Sequence, residues 1–266
     1  MIGEVRTMDE GLCNLAKKFK NLVLLHSDFS DELGVNSFMN QFAERSFQFG
    51  LAEQTMVSAS AGFAVTGKLP VVVGLANFIC GRAFEQVKNT VCSQNLNVKF
   101  FAVEGGHEAD EDIALMRSLP NMKVVCPADH NELIGVMEAL SRDYGPTYVR
   151  VPAGISQDLS DGDFEFGKSK VVREGSDSCI FASGEMVAKA IERAQEMEKE
   201  GDSVMVVNVS SIKPIDVNTI VECAQKVEKC FYIEKPEVTG GLGSAVSEVL
   251  AKYHPVKLKR LMLEAF

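Results

Sequence analysis

The chain has no excess of basic charge, no apolar run long enough to span a membrane and no Cys-x-x-Cys pair. Each absence removes a class of function. Lys and Arg number 27 against 37 Asp and Glu, for a net charge of −10. No basic stripe is therefore available to neutralise phosphates, and nucleic acid is not an expected partner. The opening Met1-Ile2-Gly3-Glu4 lacks the pattern of a signal peptide, and no apolar stretch approaches the length of a membrane-spanning helix. Seven cysteines (13, 80, 92, 126, 179, 223 and 230) are scattered through mostly apolar segments. Odd in number and unpaired in spacing, they read as reduced core residues of a cytoplasmic protein rather than as a zinc site or a nucleophile. Internal repeats and low-complexity tracts are also missing. What remains is a 266-residue chain, 46% hydrophobic and 24% charged, long enough for one large or two medium domains.

Short β-branched runs alternate with helical patterns, as in βα units built on a largely parallel sheet. Strands are expected at Leu22–His26, Pro70–Gly74, Val98–Val103, Lys123–Cys126 and Thr147–Val151. Helices are expected at Gln54–Thr66, Gly81–Cys92, Asp110–Ser118 and Asn131–Arg142. Residues 154–167 turn polar and glycine-rich and read as a linker. A second α/β set follows, with strands at Asp177–Ala182, Val204–Val209 and Lys229–Ile233 and helices at Glu185–Glu200, Val217–Val227 and Gly243–Lys252. The expected organisation is thus α/β, with one domain over 1–153, a linker over 154–167 and a second domain over 168–266.

The most informative stretch is Gly50-Leu51-Ala52-Glu53-Gln54-Thr55-Met56-Val57. One carboxylate sits between an apolar strand (Phe47, Phe49) and a small-residue helix, where burying a charge is costly. Such a group must find a partner or stay protonated, and a protonated Glu can donate a hydrogen bond. It can also simply favour the first turn of the helix, where acids are stabilised by the exposed amides. The eight residues leave both readings open.

Their surroundings carry a family. Arg45-Ser46-Phe47-Gln48-Phe49-Gly50-Leu51-Ala52-Glu53-Gln54-Thr55-Met56-Val57 resembles the pyrimidine-binding domain of transketolases, roughly R-x-x-x-x-G-I-A-E-Q-x-M-V. The resemblance continues through Phe78–Asn89, Asn95–Lys99, Glu111–Arg117 and Pro120–Asp129. In the second domain, Gly240-Gly241-Leu242-Gly243-Ser244-Ala245-Val246 looks like the family's C-terminal domain. The resemblance covers nearly the whole chain, with its motifs in order. It implies two domains, each a mostly parallel sheet flanked by helices, and thiamine diphosphate as cofactor. Glu53 is then the catalytic carboxyl that hydrogen-bonds N1′ of the aminopyrimidine, and Phe78 packs on that ring, with Leu75 and Arg82 in the same cofactor-binding set. His107 aligns with a substrate-facing His and serves substrate binding or proton transfer; its position on a glycine-flanked loop argues against a core role. Arg150 aligns with an Arg that grips a sugar phosphate, against the alternative of a surface ion pair. Asp28 either contacts substrate or closes a turn with Ser27 and Ser30.

The family's Gly-Asp-Gly motif, which with a following Asn holds magnesium and the diphosphate, does not occur in this chain; Asp161-Gly162-Asp163 reads as a polar turn. The resemblance therefore implies no metal ligand here. It implies instead an N-terminal partner chain carrying the diphosphate and Mg2+ site, a shared cofactor and an α2β2 assembly. Two departures touch the substrate. The loop before His107 is shorter than in relatives, and Glu104 falls near the position where the family has a phosphate-binding His, so that a carboxylate would repel phosphate there rather than bind it. The chain also closes at Phe266, before a further turn and helix that relatives carry and that serve assembly more than chemistry. The expected activity is transfer of a two-carbon unit between sugars or sugar phosphates by a split transketolase. The alternatives are a β subunit of a related thiamine enzyme (2-oxoacid dehydrogenase or deoxyxylulose phosphate synthase type) and a degenerate, non-catalytic partner subunit.

Overall fold

Runs such as Leu22-Val23-Leu24-Leu25 and Val71-Val72-Val73 are apolar on both faces, the mark of strands covered by helices on either side. The computed structural model describes residues 2–28, 30–103, 111–151, 159–234 and 239–262. Its strands are β1 (Leu22–His26), β2 (Ser46–Gln48), β3 (Leu69–Leu75), β4 (Lys99–Val103), β5 (Lys123–Val125), β6 (Thr147–Val151), β7 (Lys170–Arg173), β8 (Ser178–Ala182), β9 (Val204–Asn208), β10 (Ser211–Lys213), β11 (Lys229–Tyr232) and β12 (Leu258–Arg260). Its α-helices are α1 (Ile2–Lys18), α2 (Ser30–Leu33), α3 (Asn36–Gln41), α4 (Glu53–Val65), α5 (Phe84–Gln86), α6 (Asp112–Ser118), α7 (His130–Leu140), α8 (Met186–Lys199), α9 (Val217–Gln225) and α10 (Leu242–Tyr253).

The first sheet has the order β10-β5-β6-β4-β3-β1-β2 and the second β12-β11-β8-β9-β7. All pairings are parallel except at one edge of each sheet, where β10 runs antiparallel to β5 and β7 antiparallel to β9. This is the α/β organisation expected, two mostly parallel sheets flanked by helices. Alternation along each strand divides the core. Val23 and Leu25 belong to the apolar cluster that includes Met56 and Val57 of α4 and Met116 of α6. Leu22 and Leu24 face Met8 and Leu12 of α1, Phe38 of α3 and Leu133 of α7.

Three features differ from the sequence expectation. Helix α1 was not anticipated, although Met8, Leu12, Leu15 and Ala16 recur at helical spacing and are buried. Its Asp9 accepts the Ser37 and Phe38 amides (2.7 and 3.0 Å) and so caps α3 from a distance. The helix expected over Gly81–Cys92 is instead two π-helical turns, Phe78–Arg82 and Val87–Cys92, separated by α5. Finally, β10 lies in the second half of the chain yet pairs with β5 of the first sheet. Its Ile212 is buried in an apolar cluster that includes Val124 of the first sheet and Phe181 and Val207 of the second. Burial of that one side chain is worth about 1.5–3 kcal/mol.

Polar contacts reinforce the join. Asp129, fully buried, caps α7 through the Glu132 amide (2.8 Å) and also accepts the Leu159 and Ser160 amides (2.6 and 2.5 Å). One turn on, the buried Glu132 accepts the Asn208 side-chain amide from the second sheet at 3.0 and 3.1 Å, and burial pushes its carboxyl above the usual carboxylate range. No helix among the described residues is long and apolar enough to cross a membrane.

Candidate active site

Parallel strands deliver the residues that follow them to one edge of the sheet, and ligands bind where the strand order reverses. Here the chain steps from β1 outward to β2, then returns to β3 on the other side of β1. Around that switch point the chain places Glu53 after β2, Asp28 after β1 and Phe78 just past β3, with Leu75 ending β3. The register carries the edge onward, with Leu75 opposite Val103 and Ala102 opposite Arg150. Candidates far apart in sequence thus lie on neighbouring strands or just beyond them. Glu104 and His107, just beyond β4, fall outside the described residues.

Glu53 opens α4 and is 1% exposed. Gly50 enters the turn before it with φ +60°, a conformation open to glycine at no steric cost. The carboxylate stands in the first turn of α4, as the local pattern allowed, and makes no side-chain cap hydrogen bond at the N-cap. Its Oε2 accepts a 2.7 Å hydrogen bond from Arg82 Nη1, while Oε1 is buried with no partner among the described atoms. The same Arg82 nitrogen donates to the Leu51 carbonyl at 3.2 Å, and the Arg82 carbonyl accepts from Gln54 Nε2 at 3.1 Å. The guanidinium lies over the Phe78 ring, 4.2 Å from its centroid. Leu75 is partly buried in the opposite core, at the end of β3.

On the far side of the π-helical turn is a second charged group. Arg150 forks onto both carboxylate oxygens of Asp112, with Nε to Oδ2 at 3.0 Å and Nη2 on Oδ1, and the Tyr148 hydroxyl donates to Oδ2 at 2.5 Å. Asp112 and Tyr148 are fully buried, so the pair is internal rather than the surface contact that was one sequence reading. Burial and the neighbouring Asp112 charge hold the Tyr148 hydroxyl well above its ordinary pKa. Asp112 was not singled out from sequence; it sits inside the family-like segment Glu111–Arg117, but only the fold reveals its partner. Asp28 is exposed and accepts a long 3.4 Å contact from Gln48 Nε2, and its amide donates to the Gly50 carbonyl at 3.0 Å.

His26, at the end of β1, is a second residue the sequence reading passed over. It is fully buried, with Nδ1 2.9 Å from the Ser27 carbonyl and Nε2 without a partner among the described atoms. Burial holds the imidazole below its ordinary pKa of 6.5. The unfolded chain then binds the proton more readily, so folding stability is intact above pH 6.5 and falls as the pH drops from there toward the folded value. The slope reaches at most about 1.4 kcal/mol per pH unit for one proton. Urea denaturation between about pH 7 and pH 5 should show that loss, and His26→Asn should reduce it.

The seven cysteines are all free and buried, and burial pushes Cys80 and Cys126 up to about 12, which disfavours their thiolate forms. Among the described residues no group of three or more His, Cys, Asp or Glu is placed to hold a metal ion. The donor set does suit one end of thiamine diphosphate. A buried carboxyl oxygen without a partner, near an aromatic ring that a guanidinium now covers, matches a flat ring that needs a carboxyl at its edge.

Comparison with known proteins places this arrangement. The family described as "Transketolase, pyrimidine binding domain" matches residues 6–157, and "Transketolase, C-terminal domain" matches residues 167–265. A solved structure described as "Split gene transketolase, inactive beta4 tetramer" superimposes with a TM-score of 0.90 at 37% identity, over 96% of this chain and 87% of that one. One of the chains of apulose-4-phosphate transketolase from Actinobacillus succinogenes is 31% identical over 95% of this chain and 85% of its own length. The 1-deoxy-D-xylulose-5-phosphate synthase of Syntrophus aciditrophicus is 34% identical over 94% of this chain, which spans only 40% of that longer protein. With both domains matched in order, the chain belongs to the transketolase family and corresponds to the C-terminal half of a split transketolase.

Proposed function

We propose that the chain acts with a separate N-terminal subunit as a thiamine diphosphate-dependent transketolase, moving a two-carbon ketol unit from a ketose donor to an aldose acceptor. The observation that carries this reading is Glu53: a buried carboxyl with one oxygen unpartnered among the described atoms, beside Phe78, at the switch point of the sheet. Thiamine diphosphate supplies the carbanion chemistry for breaking and making the carbon–carbon bond. Glu53 would hold N1′ of the aminopyrimidine and share a proton with it, the task that favours a carboxyl screened from water. Phe78 would carry one face of the ring, Leu75 turns to the opposite core and is not part of this set, and Arg82 reaches the site through Glu53. His107 and Asp28 enter as substrate-facing groups.

Arg150 enters with its charge already balanced by Asp112. In this reading it offers a substrate phosphate a positioned N–H edge more than a net positive charge. The diphosphate and Mg2+ belong to the partner chain, in an α2β2 assembly in the cytoplasm. Residues 1–153 and 168–266 form the two domains about a linker at 154–167. The likeness to a transketolase chain of similar length, over 85% of that chain, supports a two-chain enzyme.

Calorimetric titration of thiamine diphosphate with magnesium tests the reading. Saturable binding is expected for this chain mixed with a partner bearing an intact Gly-Asp-Gly motif, and for neither chain alone. Absence of binding by that mixture would assign the chain to a non-catalytic role.

A further inference from the structure

Two arginine–carboxylate pairs flank the Phe78–Arg82 turn, and they are built differently. Asp112 is saturated: Arg150 grips both its oxygens and Tyr148 adds a third donor. Glu53 is as deeply buried, yet Arg82 satisfies only Oε2 and leaves Oε1 without a partner among the described atoms. Arg82 itself keeps 42% of its side chain exposed while the Glu53 side chain has none. A buried acceptor left unmade costs stability, so the second pair is not arranged for stability alone.

The chemistry of what Arg82 presents is specific. Its guanidinium is flat and carries N–H donors along its edge. It lies over Phe78 at 4.2 Å and points a donor at Glu53 from 2.7 Å. A flat aminopyrimidine with its edge on the unpartnered Oε1 of Glu53 and its face on Phe78 would need the ring face that the guanidinium now covers. The two cannot be accommodated together.

The geometry points to Arg82 as a resident stand-in for the aminopyrimidine ring, one that must leave the Phe78 face before thiamine diphosphate can seat. This rests on the proposed function and revises the expectation that Arg82 simply binds the cofactor: in the cofactor-free chain it competes. The turn provides for the exchange. Arg82 ends a π-helical turn, a form that recurs at functional sites, and a Cβ at the adjacent Gly81 would meet nothing within 4 Å. The Arg82 side chain is itself partly exposed and so has a route outward to solvent. Cofactor affinity is then the intrinsic affinity of the emptied crevice reduced by the small fraction of chains in which Arg82 has swung away.

The test is calorimetric titration of thiamine diphosphate and magnesium into the assembled two-chain complex, unaltered and with Arg82→Met or Arg82→Lys. Removing the stand-in with Met should tighten binding about tenfold. Lys keeps the charge without the flat face, and its affinity should fall between the other two. Lys also retains a cation for Glu53, so it reports even if the Met variant fails to fold. Variants that bind no more tightly than the unaltered complex overturn the inference while leaving the proposed function standing. Failure of the unaltered complex to bind at all overturns both.

Discussion

Replacing Glu53 by Gln is expected to lower turnover of the assembled enzyme by about 10²–10⁴-fold, the range associated with loss of one positioned proton-transfer group. The fold and much of the cofactor affinity should survive. Gln has the same shape, its carbonyl can still accept from Arg82, and its amide can still hydrogen-bond a ring nitrogen. It cannot share a proton back and forth at that position. Steady-state turnover, read beside calorimetric affinity, separates the two effects. Full activity in the variant would remove Glu53 from the chemistry and return it to the first-turn role its sequence position also allows.

Asp112→Ala should give the largest loss of stability. The substitution leaves Arg150 as a partly buried cation without its carboxylate and strips the buried Tyr148 hydroxyl of its acceptor. Removing one partner from a buried pair costs about 3–5 kcal/mol. For a chain of this size each kcal/mol corresponds to roughly 2–4 °C in melting temperature. Urea denaturation should show the midpoint falling accordingly. Asp112→Asn should lose less, since Asn keeps one acceptor for Arg150. A variant as stable as the parent would show that Arg150 finds compensation elsewhere.

The sequence was legible where local pattern decides structure. Apolar runs such as Leu22–Leu25 and Val71–Val73, and the small-residue stretch after Glu53, give strands and a helix because burial on fixed periods needs nothing beyond the segment itself. Glu53 stood out for the same reason, a lone carboxylate among apolar neighbours. What escaped was decided by distant partners. Nothing near Arg82 announces that it reaches 29 positions back to Glu53, and nothing near Asp112 announces Arg150, 38 positions on. The segment Gly81–Cys92 has helical spacing, but its backbone takes π turns that periodicity does not separate from an α-helix. In α1, Gly3 and Gly11 dilute a pattern that Met8, Leu12 and Leu15 otherwise make plain. Three residues, Ser211-Ile212-Lys213, are too few to signal a strand, and their pairing partner lies in the other half of the chain.

That borrowed strand limits how the molecule can move. Neighbouring domains in one chain ordinarily rock about their linker. Here rocking would first have to peel Ser211–Lys213 from Val124 and Val125 and draw Ile212 out of the apolar cluster. A hinge between the halves is therefore closed off, and the crevice beside Glu53 must admit its occupant through side-chain and turn rearrangement or through the approach of another chain. The same clasp means that a protease cutting within 154–167 would sever the backbone without releasing either piece. The nicked protein should still elute from a sizing column as one body.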